Sequence, residues 1–376
     1  MKPNLFKIKL SNKNMREAKC PHFGTCGGCS SQHITYEMQL ANKRKNVSHA
    51  LSIPEEEIKV HSANEFTYRN RMDFVFFKGG LGFRKKGSHA AITTITSCDI
   101  ANTRLQELFE EVRAFYVATN PDVFDMKSRE GTFRYATIRT PTLDSSITFI
   151  LNEDSPHLEE AYNLIETFAQ KSTAHSVLVG YVSSSIDEST SSNCKVVKGS
   201  KYLTESISGK KIQFHTQGFF QNNSVMANEL AGYVYSLLKK TDTHQKVLLD
   251  LYGGVGTFGL ICAELYKHVY IVESAPLSVE CAQLNIASLG MKNVSADMRD
   301  ASSIQNYPVQ GGHSILDPPR TGMQTKAIDR VLAHEPERII YISCNYVQLK
   351  KELPRFLKRG YSVNSCAIFD LFPQTN

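Results

Sequence analysis

The sequence predicts an α/β protein: a doubly wound, mostly parallel sheet in the carboxyl-terminal part, an α+β region in the middle and a cysteine-rich segment in front. Three observations predict it. From about residue 245, short apolar runs alternate with stretches of helical spacing, as strands and crossover helices do in a parallel sheet. The first of these runs, KVLLDL, leads directly into the glycine-rich turn YGGVG. Ahead of all this, Cys20, Cys26 and Cys29 crowd together near the start.

At 376 residues the chain exceeds what one small core organises and suits two or three domains. We expect a cysteine-rich, basic, strand-prone region at 1–100, a central α+β region at 101–215 and the doubly wound domain at 216–376. Hydrophobic residues make up 41% and charged residues 21%, the balance of a folded globular protein. No apolar run has the length of a membrane span, and MKPNLFKIKL lacks the apolar stretch of an export signal. A cytoplasmic monomer with no membrane partner is expected. The net charge of +6 is compatible with a polyanionic partner, and basic residues gather in NKRKN, YRNR and FRKKG. A solvated lysine-rich face would read the same way. Nine cysteines without an export signal argue against a disulfide scaffold and for metal ligation or catalysis.

The elements follow in order. NRMDFVFFKGGLGFRKKGSHAAITTI reads as strand, Gly79-Gly80 turn and strand. RLQELFEEVRAFYVAT has the apolar spacing of a helix. FRYATIRT and HSVLVGYV read as strands, and DESTSSN as a polar loop. Then KVLLDL, HVYIVE, NVSA, HSILDPP, RIIYIS and YSVNSCAIF read as successive strands of one sheet. Helices are expected through 275–289, near 324–333 and through 346–358.

In DLYGGVGTFGL, Gly254-x-Gly256-x-x-Gly259 follows a strand and precedes a helix. The glycines permit a tight turn and let a nucleotide-type cofactor approach the backbone. Glu273 ends the next strand, where a carboxylate can accept from both ribose hydroxyls of an adenosine. Asp297, after the third strand, suits the adenine or a surface role equally well. These features fit a dinucleotide oxidoreductase and an S-adenosylmethionine (SAM) enzyme alike. ILDPPRTG separates them: Asp317 and two prolines form a stiff acidic loop at a strand's carboxyl end. A dehydrogenase has no need of it, whereas enzymes that methylate nucleobases often carry one.

IIYISCNY ends a strand on Cys344, directly before a helix. A thiol at the carboxyl end of a parallel strand opens onto the ligand crevice, and the amino end of a helix favours thiolate. A buried, inert cysteine is the plainer alternative.

At this point the chain resembles a family. DLYGGVGTFGL, ILDPPRTG, YISCNY and FDLFPQT look like the motifs of RNA uracil-C5 methyltransferases, in order over roughly the last 160 residues, and HTQGFFQNN fits as well. The resemblance implies a Rossmann-like SAM-dependent methyltransferase domain. It implies that Gln221, Tyr252, Glu273 and Asp317 join Gly254, Gly256 and Asp297 around SAM, and that Cys344 attacks C6 of uracil. It also implies RNA contacts by Arg69, Arg71, Arg134 and Arg139, which strand-surface arginines would imitate.

Cys20-x5-Cys26-x2-Cys29, with Cys98 further on, could close a site for zinc or an iron–sulfur cluster. The spacing is neither that of a zinc ribbon nor that of radical SAM enzymes. In the resembling family this arrangement holds a [4Fe–4S] cluster. Only 19 residues precede Cys20, too few for the additional barrel some relatives carry. A cluster without the barrel looks most like the RlmC type, which implies 23S ribosomal RNA as partner. The sequence also departs from the family. After FDLFPQT a His-x-Glu is expected, whose glutamate removes the C5 proton, and then a final strand; the sequence reads FDLFPQTN and stops. The expectation is a sheet lacking that strand in a shortened chain. A tRNA enzyme and a non-catalytic RNA-binding relative remain the alternatives.

Overall fold

The computed structural model describes residues 14–88 and 90–375. The expectation drawn from the first ten residues lies outside that range. A helix α1 (Tyr36–Leu51) and a short strand β1 (Ile58–His61) come first. Then follow β2 (Arg71–Phe77), β3 (Gly80–Arg84), β4 (Ile92–Thr94), α2 (Thr103–Thr119), β5 (Phe133–Arg139), β6 (Ser146–Asn152), α3 (Leu158–Lys171), β7 (Ser176–Val182) and β8 (Cys194–Lys198). A hairpin of β9 (Tyr202–Ile207) and β10 (Lys210–His215) leads to α4 (Ser224–Lys239). The doubly wound part contains β11 (Val247–Leu251), α5 (Thr257–Cys262), β12 (His268–Glu273), α6 (Pro276–Ser288), β13 (Val294–Met298), β14 (His313–Leu316), α7 (Thr325–Ala333), β15 (Arg338–Tyr341) and α8 (Tyr346–Leu357). The last strand is β16 (Cys366–Phe369).

The larger sheet has the order β4-β3-β2-β5-β6-β7-β8. It crosses residue 100, so the boundary expected there does not divide the structure: the basic hairpin and the central region share one sheet. Its core is aromatic. Phe74 stacks on Phe109 of α2 at 4.1 Å, and Phe76, Phe115, Phe133, Phe149 and Phe168 pack around them. Strands β5 and β6 are buried along their whole length because helices cover one face and the loop after β7 covers the other. The hairpin β9–β10 packs with α4 and α6 into the core of the doubly wound part, which therefore begins nearer 200 than 216.

The second sheet is parallel throughout, in the order β13-β12-β11-β14-β15. The strand order reverses between β11 and β14, which opens a crevice beyond their carboxyl ends. The sequence places YSVNSCAIF in this sheet as a sixth strand. Instead β16 pairs in parallel with β1, Ile58 opposite Cys366 and His61 opposite Phe369. The polar groups around it explain the preference. Asp370, directly after β16, is buried and takes an ion pair from Lys43 of α1 at 2.8 Å and a hydrogen bond from the Tyr36 hydroxyl at 3.0 Å. His61 stacks on Phe369 at 4.4 Å. Farther on, Gln374 is fully buried and exchanges hydrogen bonds with Gln39 of α1. The amino-terminal segment thus grips the last residues.

Candidate active site

The turn after β11 has the backbone its glycines allow. Gly254 and Gly256 take φ values of 57° and 88° in the left-handed region, and Tyr252 joins them at 58°. Gly259 is needed for packing: a Cβ there would come within 2.9 Å of both Asp250 Oδ2 and an Ile271 side-chain carbon. Asp250 is 0% exposed, and its Oδ2 accepts the Gly259 N–H at 2.8 Å. Its Oδ1 has no hydrogen-bond partner. Burial, reinforced by Asp317 and Glu273, pushes this carboxyl up to about 7. Glu273 accepts the Gly254 N–H at 3.1 Å with one oxygen and the Ser274 and Ala275 N–H groups with the other. The carboxylate read as a ribose acceptor therefore also holds the glycine turn in shape.

Asn285 of α6 completes this side. It is fully buried, bonds both backbone groups of Gln213 in β10 and donates to the Val255 carbonyl at 3.1 Å. It splices the hairpin onto the glycine turn. Gln221 lies in the link from that hairpin to α4, and its carbonyl accepts from Asn70 at 3.3 Å. Asp297 accepts the Tyr307 hydroxyl at 2.7 Å, so one of its oxygens is committed to protein.

On the other side of the switch point, β14 and β15 end in register, Leu316 opposite Tyr341. Asp317 therefore leaves the sheet beside the loop that carries Cys344. Burial first, and then Glu273, push Asp317 up to about 7. Cys344 is exposed. The residue after it does two jobs. Asn345 Oδ1 accepts from the Val347 and Gln348 N–H groups, capping α8, while its Nδ2 donates to the Arg320 carbonyl at 3.0 Å. The cap of α8 is thus the residue directly after Cys344. Glu352, buried in α8, accepts from the Met323 N–H and from Gln348, and so fixes the far end of the same loop. Asp250, Asn285, Asn345 and Glu352 carry the site's geometry, and none was assigned a role from sequence. A buried acid before a glycine turn and an Asn ahead of a helix were the available signals.

The four arginines separate. Arg69 and Arg71 are half-buried; Arg69 lies 6.0 Å over the Phe372 ring, and Arg71 pairs with Asp73 at 3.0 Å. Arg134 is 2% exposed and donates to the carbonyls of Val182, Ser183 and Ile186. Its reading as an RNA contact is corrected: the side chain is buried, and its two terminal nitrogens hold the loop that covers the sheet. Arg139 is 3% exposed and donates to the Gly218 carbonyl at 2.6 Å. It shapes the segment leading to Gln221 from beneath and does not face solvent.

Cys20, Cys26, Cys29 and Cys98 line one cavity of about 510 Å³, together with Gln32, Arg69 and Asp99. Burial raises all four thiols, Cys29 to about 11 and Cys98 to about 12. Among the described residues, no three His, Cys, Asp or Glu side chains converge closely enough to hold a metal ion. No helix is long and apolar enough to cross a membrane.

The strand order and glycine turn describe a nucleotide-cofactor α/β enzyme, and comparison with known proteins narrows the class. The family model described as tRNA (Uracil-5-)-methyltransferase matches residues 35–303 and 297–376. An uncharacterized RNA methyltransferase of Caldanaerobacter subterraneus subsp. tengcongensis is 30% identical, over 96% of this chain and 82% of its own length. The tRNA (uracil(54)-C(5))-methyltransferase of Pyrococcus abyssi is 28% identical over 95% of this chain and 83% of its own. A crystal structure of that Pyrococcus abyssi enzyme in complex with S-adenosyl-L-homocysteine superposes with a TM-score of 0.76 at 25% identity. It covers 93% of this chain and 84% of the other. The class is thus that of SAM-dependent methyltransferases. The chain belongs to the tRNA (uracil-5-)-methyltransferase family and is a SAM-dependent RNA uracil-C5 methyltransferase.

Proposed function

We propose that Cys344 is the nucleophile of the reaction. The observation that carries this reading is its position: an exposed thiol beyond β15, in a loop that Asn345 ties to the Asp317–Arg320 turn. C5 of uracil is too electron-poor to take a methyl group unaided. The Cys344 thiolate adds to C6, the C5–C6 double bond opens and its electrons form an enolate with density on C5. Bound SAM supplies a methyl group on a sulfonium, and that carbon–sulfur bond breaks as C5 takes the methyl. A base then removes the C5 proton, the double bond re-forms and the Cys344 sulfur leaves.

Gln221, Tyr252, Gly254, Gly256, Glu273, Asp297 and Asp317 are proposed to hold SAM. The unpartnered Asp250 Oδ1 and the open space beside the Gly254 Cα suit a cationic ligand laid against the turn. Arg69 and Arg71 are proposed to meet RNA, and the target base must leave its stack to reach the thiol. The four cysteines are proposed to hold a [4Fe–4S] cluster. What supports this reading is that all four thiols line one cavity.

The substrate is proposed to be a structured RNA, 23S ribosomal RNA by the family resemblance or tRNA by the name of the Pyrococcus abyssi relative. Incubation with SAM and 5-fluorouracil-containing transcripts of each RNA decides. Fluorine at C5 cannot be removed as a proton, so the true substrate is trapped as a covalent adduct. Adduct formation that survives Cys344→Ala would overturn the assignment, and the RNA trapped identifies the substrate.

A further inference from the structure

We infer that the side-chain amide of Gln32 donates a hydrogen bond to sulfur in the cysteine-lined cavity and tunes the group held there. The inference rests on the cluster reading above. Gln32 is 1% exposed, and its Oε1 accepts the Cys20 N–H at 3.0 Å. That bond fixes the plane of the carboxamide. Its Nε2 is buried without a nitrogen or oxygen acceptor, and the side chain hydrogen-bonds the Cys29 thiol in a cavity lined by all four cysteines. A buried amide donor is almost always satisfied, and the acceptor within its reach is cysteine sulfur.

The acceptor that chemistry supplies there is sulfur. A cluster held by four thiolates carries negative charge on its sulfides and ligands, and that charge grows on reduction. A fixed N–H aimed at sulfur stabilises the more negative state, raises the reduction potential and slows loss of the cluster. Backbone N–H groups serve the other sulfurs: those of His22, Phe23 and Asp99 for Cys20, and those of Ile100 and Ala101 for Cys98. The Gly28 N–H already points at Cys26 Sγ at 3.3 Å. Arg69 brings positive charge to the wall, while Asp99 opposes it with a carboxylate whose Oδ2 is also buried without a partner. Gln32 is thus a neutral, oriented donor that offsets the Asp99 carboxylate beside the thiols.

The test is Gln32→Glu in the full chain, loaded anaerobically with iron and sulfide. Glutamate keeps the oxygen that accepts the Cys20 N–H and removes the donor. The expected result is wild-type iron and sulfide content, a midpoint potential shifted negative and bleaching in air several-fold faster. A second measurement needs no variant: in wild type labelled with ¹⁵N at glutamine side chains, pulsed electron paramagnetic resonance of the reduced cluster should show a nitrogen coupling. An unchanged potential and bleaching rate in the variant, or no ¹⁵N coupling in wild type, overturns the role of Gln32 alone. A wild-type protein that takes up neither iron nor sulfide overturns the cluster reading and this inference with it.

Discussion

Asn345 reaches the Arg320 carbonyl with its Nδ2 at 3.0 Å while its Oδ1 caps α8, so one side chain holds two loops of the site in register. The two functions can be separated. Asn345→Asp keeps an acceptor for the cap and loses the donor to Arg320; it should melt close to wild type yet turn over more slowly. Asn345→Ala loses both and should also lose about 1 kcal/mol of stability. Equal turnover in Asn345→Asp and wild type would remove the tie from the account.

Cys344→Ala should cut methyl incorporation on the order of 10³-fold or more, as loss of a covalent nucleophile does. The side chain is exposed, so thermal unfolding should be unaffected. A filter assay with labelled SAM, beside a melting curve, reads both.

The two buried carboxyls give a pH signature. Asp250 and Asp317 stand at about 7 in the folded protein against 3.8 for an ordinary aspartate. A carboxyl raised in this way takes up a proton on folding between those values. Stability from these groups is therefore full below about pH 4 and declines as pH rises towards 7. A cation in the crevice returns them to the charged form, so stabilisation by SAM should grow over the same interval. Melting temperatures with and without SAM from about pH 5 to 8, repeated for Asp317→Asn, should show a smaller SAM-dependent slope in the variant.

The grip on the last strand predicts an asymmetry. Lys43→Met leaves the Asp370 carboxylate buried without its cation and should cost roughly 3 kcal/mol. Asp370→Asn frees a lysine that can turn to solvent and should cost less. Denaturant unfolding of the two variants compares them directly.

Much of the doubly wound part was legible because its signals are local. The glycine turn, the strand ends at Glu273 and Asp317 and the helices near 275–289 and 346–358 all lie where period and turn chemistry put them. What sequence could not supply was pairing at long range. CAIF has the pattern of a sheet strand, but nothing local says that its neighbour is IKVH near the front. Arg134 and Arg139 looked like surface charges on strands. They are interior because a loop and the Gly218 segment close over that face.

The bond between Gln39 and Gln374 joins positions 335 apart in sequence. During synthesis, β1 and α1 emerge long before the strand and polar side chains they will hold. The front segment must wait, its edge unpaired, until about three hundred further residues have left the ribosome. Closure of this clasp is therefore a late event, and a nascent chain halted anywhere before β16 presents a raw strand edge that a chaperone can recognise.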